Sequence, residues 1–120
     1  MTPRAVPAYD RDRLVELFGD DAATLAEVER EFLETARTAE REICEADDPV
    51  VAARAAHRLK GASGMIGAEA LRRLAEVVER TARTGSLAGV QRLCTLFEPE
   101  IRRVAEQVGT GEAIERQSGQ

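Results

Sequence analysis

The sequence predicts an all-α protein, an antiparallel up-down-up-down four-helix bundle with a short extra N-terminal helix. Three observations lead there. Apolar residues recur at intervals of three and four almost throughout, and Ala, Glu, Arg and Leu dominate. No segment alternates apolar and polar residues as a strand would. The periodic stretches are separated by only a few residues each, which obliges neighbouring helices to run antiparallel. At 120 residues the chain has the length of one domain. The bundle is assigned to residues 9–108, with flexible tails expected at 1–8 and 109–120.

The elements follow in order. A short first helix is predicted from about Asp10 to Phe18, with Leu14, Leu17 and Phe18 on one face, stopped by Gly19. Asp20 or Asp21 then caps a long second helix ending near Ala46, whose apolar line is Leu25, Val28, Phe32, Ala36, Ala39 and Ile43. Asp48-Pro49 is a strong start signal, an N-cap acceptor followed by proline at the first helical position. The third helix therefore runs from there to about Met65 and is broken by Gly67. Ala68-Glu69 opens a fourth, with Leu71, Leu74, Ala75, Val78 and Ala82 inward, ending at Thr84-Gly85. Ser86 caps the fifth, which carries Leu87, Val90, Leu93 or Cys94, Phe97, Ile101, Val104, Ala105 and Val108. Pro99 lies inside that line, where it removes a backbone hydrogen bond, so a kink is expected. Beyond Gly109 the tail from Gly111 to Gln120 is polar and expected to fray.

Composition excludes several classes of function. A net charge of −5, four aromatics and no tryptophan argue against a nucleic-acid binder, which usually carries a basic stripe with stacking rings. No apolar run approaches the roughly 20 residues needed to span a bilayer, and the N-terminus leads into no signal-like stretch, so a cytoplasmic protein is expected. Cys44 and Cys94 form no CxxC pair, and a single histidine leaves no zinc set. Both cysteines read as buried or half-buried thiols, with a disulfide or redox role as the minor alternative. No cofactor and no metal are expected on this chain.

The one distinctive segment lies in the third helix. His57 is the only histidine and Lys60 the only lysine, in a chain that uses arginine at every other basic position. With a core line of Ala52, Ala55, Leu59, Ala62 and Ile66, His57 falls about 160° from Leu59 and should face water. Lys60, Gly61 and Gly64 share its face, and Ala53 and Arg54 occupy the turn before. Two glycines inside a helix cost about 1 kcal/mol each relative to alanine, and on an exposed face packing offers no return. What they do provide is steric access to the imidazole. From Pro49 to Ala68 there is no Asp or Glu, while Arg54, Arg58 and Lys60 form a local positive patch suited to a phosphoryl group and an acidic partner. A phosphoryl carrier needs an exposed ring nitrogen, a nearby cation and access. An acid–base catalyst would need a second titratable group orienting the ring, and Arg58 and Lys60 cannot accept its proton.

Ala56, His57, Leu59, Lys60, Gly61, Ile66 and Gly67 match, position by position, the pattern of the histidine-containing phosphotransfer (Hpt) domain family, which the chain resembles. The segment from Leu14 to Asp21 resembles the family's N-terminal region. Leu71, Leu74, Val78 and Glu79 fall at the family's spacing, so the likeness covers about residues 9–108. The resemblance implies that His57 accepts a phosphoryl group from a receiver-domain aspartate and passes it to another, that Lys60 stabilises phosphohistidine, and that Gly61 permits docking. The partners implied are receiver domains of response regulators or hybrid histidine kinases, with Mg²⁺ held by the receiver and this chain a monomer. Glu79 stands where some members have a glutamine that hydrogen-bonds the phosphoryl oxygens. A carboxylate would repel that group, so no direct role is expected of Glu79.

Two other classes of protein share parts of this pattern. The phosphoacceptor domain of a sensor kinase usually follows its histidine with an acidic residue, whereas Arg58 follows His57 here. A scaffold bundle without chemistry would be indifferent to replacement of His57. An outright enzyme is the least expected class, for want of a second catalytic group near His57.

Overall fold

The computed structural model describes residues 6–118, and side chains as far as Gly109. Six helices follow one another: α1 (Arg11–Phe18), α2 (Ala22–Cys44), α3 (Pro49–Ile66), α4 (Glu69–Arg83), α5 (Leu87–Cys94) and α6 (Phe97–Ser118). Among the described residues there is no strand. The starts obey local chemistry. Asp10, Asp21, Asp48 and Ser86 each accept a hydrogen bond from a backbone N–H of the helix they precede, and Pro49 occupies the first turn of α3.

α3 lies at the centre, packed against α4 most extensively, against α2 next, and touching α1. Its buried residues are Ala52, Ala55, Ala56, Leu59, Ser63 and Ile66. The predicted line included Ala62, which is only half-buried, and omitted Ala56 and Ser63. The reason is that α2 and α4 flank the helix on two sides, so its buried arc is wider than a single stripe. Where α3 ends, Gly67 adopts φ 71° and a Cβ there would come within 2.7 Å of the Cβ of Asp10. Only glycine allows that crossing, where the Asp10 N–H donates to the carbonyl of Ile66.

Four expectations need correction. On α1 only Leu14 is buried; Leu17 and Phe18 are exposed, because a two-turn helix meets the body along a single line. The predicted fifth helix is two helices, α5 and α6, interrupted at Thr95 and Leu96. Pro99 therefore produces no mid-helix kink. It lies in the first turn of α6, where its missing N–H has no intrahelical partner to lose. Cys44 and Cys94, the last residues of α2 and α5, are joined in a disulfide, with Cα atoms 5.9 Å apart. The segment before α1 is hydrogen-bonded to α6. The side-chain oxygen of Gln107 accepts from the N–H groups of Ala8 and Tyr9, and Arg103 donates to the carbonyl of Val6. At the other end the backbone of α6 continues as helix to Ser118.

Two carboxylates are buried at positions outside the predicted apolar lines, Glu29 on α2 and Glu79 on α4, while Val28 and Leu74 of those lines are half-buried. Glu29 accepts a hydrogen bond from the Tyr9 hydroxyl. Glu79 is occupied differently.

Candidate functional site

α3 sets His57 on its outer face, with the side chain 62% exposed. The tight α3–α4 packing brings Glu79 up beneath it from the neighbouring helix. His57 Nδ1 lies 2.8 Å from Glu79 Oε2, Lys60 Nζ lies 2.8 Å from Glu79 Oε1, and Arg83 Nη2 lies 2.7 Å from Glu79 Oε2. Glu79 is only 3% exposed. Burial pushes its carboxyl up, but the hydrogen bonds from Lys60 and His57 and the charges of Lys60 and Arg83 outweigh that and hold it below the usual carboxylate value.

This carboxylate decides the state of the ring. An ionised carboxylate can only accept, so Nδ1 of His57 donates to it. In the neutral ring the lone pair then sits on Nε2, across the ring from Glu79. The expectation that no titratable group orients the histidine is therefore wrong; Glu79, of which no direct role towards the phosphoryl group is expected, meets the ring instead. Sequence reasoning missed the arrangement because it judged Glu79 only against a phosphoryl group and not against an imidazole.

The other expected site residues divide. Lys60, expected on the solvent face, is 32% exposed and paired with Glu79. Gly61 is open, with nothing within 4 Å of where a Cβ would stand. Gly64 is not. It is half-buried, and the Cδ of Arg72 lies 3.5 Å from its Cβ position, so that glycine belongs to the α3–α4 contact and not to an open face. Arg58 is exposed and ion-paired with Glu42 of α2. Ala53, Arg54, Arg58 and His57 line one wall of an open groove of about 710 Å³, with Pro49 and Val50 at its α3 end. The opposite wall is Ala82, Arg83 and Gly85 of α4 and the turn beyond it. Arg83 is the second site residue that the sequence did not reveal.

A solvent-facing imidazole tied through Nδ1 to a buried carboxylate, with cations on both oxygens of that carboxylate, is suited to accept and hold a phosphoryl group. The family model of the Hpt domain matches residues 13–110. The chain belongs to the Hpt domain family. Hpt domains are phosphocarrier modules of phosphorelay signalling and interact with receiver domains. No curated protein and no solved structure matches the chain. As an Hpt domain it carries no helix, among the described residues, long and apolar enough to cross a membrane. Nor do the described residues include a group of three or more His, Cys, Asp or Glu able to hold a metal ion.

Proposed function

We propose that this Hpt domain is a phosphorelay intermediate that accepts a phosphoryl group on His57 from a receiver-domain aspartate and passes it to another receiver. The observation that carries the reading is the bond from His57 Nδ1 to Glu79 on an otherwise exposed ring. Nε2 attacks the phosphorus of the aspartyl phosphate. The N–P bond forms as the P–O bond to the acyl group breaks, and the aspartate leaves as a carboxylate. No proton has to leave the ring for the attack, and the imidazolium so formed keeps its Nδ1 hydrogen on Glu79, an ionised partner that stabilises the positive charge.

Each neighbour has a part in this scheme. Glu79 is a positioning residue, and Lys60 stabilises the phosphoryl group. Gly61 leaves the approach open. Ala53, Arg54 and Arg58 form the docking wall for an acidic receiver pocket, while Gly64 acts only by letting α4 come close. The receiver, of a response regulator or a hybrid histidine kinase, holds the Mg²⁺ ion. The domain works as a monomer, and its helices form an up-down-up-down antiparallel bundle in which α5 and α6 together make the fourth member.

Incubation with a phosphorylated receiver and Mg²⁺ should give a phosphoramidate on His57 that is acid-labile and alkali-stable. Phosphorus–proton NMR should place it on Nε2. Labelling that persists in His57→Gln, or that is found on Nδ1, would overturn the assignment.

A further inference from the structure

We propose that the Cys44–Cys94 link is a reversible redox latch, which holds α5 against α2 across a seam that the carboxylates of Glu40 and Glu98 press open. Nothing in it involves the chemistry of His57. The two cysteines are the last residues of α2 and α5, so the link fastens the end of one helix to the end of the other. Both are half-buried at the margin of the core and not sealed inside it. α5 has little hold of its own. It is eight residues long and buries only Val90, whereas α2, α3 and α4 each bury five residues or more.

The seam beside the link carries an opposing force. Glu40 stands four residues before Cys44 on α2, and Glu98 four residues after Cys94, in the first turn of α6. The Oε2 of Glu40 is shut off from water with no hydrogen-bond partner. Burial and then the charge of Glu98 push the Glu40 carboxyl up, against the charges of Arg37 and Arg41 on its own helix. Glu98 pairs with Arg102 of α6, at 3.5 Å. A buried polar group without a partner is destabilising, and opening the seam returns Glu40 to water. The covalent link offsets that term. When it is cut, the helix with a single buried residue is the element that gives way. The cut is ordinary thiol–disulfide exchange. The thiolate of a small-molecule thiol attacks one sulfur, the S–S bond breaks, and the departing cysteine takes up a proton. A second thiol attacks the mixed disulfide, releasing the other cysteine and the small molecule's own disulfide. Two thiols are oxidised as one protein disulfide is reduced, and the small-molecule disulfide reverses the exchange. Linked, α5 is fixed; reduced, α5 and its junction with α6 move while α2, α3 and α4 keep their mutual packing.

The test places the whole chain in buffers of varied reduced and oxidised glutathione, with free thiols counted by alkylation and mass spectrometry and local order followed by amide hydrogen exchange. Reduction should speed exchange across residues 87–96 by about tenfold or more and leave the amides around His57 unchanged. Glu40→Gln removes the unpartnered charge and Glu98→Gln removes the charge that opposes it. Each should shift the thiol–disulfide equilibrium towards the disulfide by about fivefold, and slow the exchange of α5 in the reduced protein. The latch is refuted if the link resists glutathione at every ratio, or if α5 exchanges equally fast in both states. It is refuted as well if exchange rises equally in α3, which would make the link a general stabiliser of the bundle. An equilibrium unmoved in both Glu40→Gln and Glu98→Gln would overturn the opposed seam.

Discussion

Glu79 on α4 and Glu40 on α2 are both carboxylates drawn towards the bundle interior, and the protein treats them in opposite ways. Glu79 is the more buried, yet its carboxyl is held below the usual value because Lys60, His57 and Arg83 all meet it. Glu40 is half-buried, and its Oε2 is out of contact with water with no hydrogen-bond partner. Burial and then the charge of Glu98 push its carboxyl up, against the pull of Arg37 and Arg41. Ionisation follows the partners and not the depth. The two regions differ in the same sense. On the α3–α4 face charges are gathered and paired, whereas on the seam between α2 and α5 a covalent link between Cys44 and Cys94 does the holding, four residues along the chain from Glu40 and from Glu98.

The most forceful way to break this division is to cut the link. The disulfide closes a loop of 50 residues, so replacing both Cys44 and Cys94 by serine should cost about 4 kcal/mol, measured by urea unfolding. Phosphorylation of His57 should persist at temperatures well below melting. A loss under about 1 kcal/mol would show that the link does not hold this seam, and a fall in transfer in step with stability would show that the two regions are not separate.

The second test uses pH. The contribution of Glu79 to stability is fully present above its unfolded value of about 4.5 and drains away as pH falls through its lower folded value. Glu40 has the opposite sign: its contribution is present below the unfolded value and is lost as pH rises through the raised folded value. Unfolding curves across this range should therefore show less acid-side loss in Glu79→Gln. Glu40→Gln should gain up to about 1 kcal/mol at neutral pH, since it removes an unpartnered charge. Slopes of the same sign in both variants would erase the contrast.

The smallest effect sharpens the functional face itself. Gly61→Ala should stabilise α3 by up to about 1 kcal/mol, since the space around it is empty and alanine loses less backbone freedom on folding. Gly61→Gln should keep the fold and slow transfer. A wild-type transfer rate in Gly61→Gln would mean that this open position is not an approach path.

What could be read from the residues was whatever a helix says about itself. Asp48-Pro49 marks a start, Gly67 marks a stop, and His57 with Lys60 and Gly61 marks an outward face. What could not be read lies between helices. Glu79 becomes a partner of His57 only after α3 and α4 pack, and its 22-residue distance along the chain gave no hint of a 2.8 Å contact. Pro99 misled because the apolar line of α6 continues that of α5 across the break, so periodicity alone saw one helix. The Cys44–Cys94 link ranks only as a minor alternative in the sequence for a similar reason. Two thiols half a chain apart carry no signal until the ends of their helices meet.

The tether from His57 to Glu79 also bears on time. An imidazole free to turn about its bond to the backbone-side carbon would expose either nitrogen to an arriving receiver, and about half of its orientations would be wasted. Anchored at Nδ1, the ring offers Nε2 whenever a receiver arrives, so a short-lived encounter need not wait for a favourable rotation. Under the proposed relay between two receivers, that favours brief, loosely held complexes over long residence.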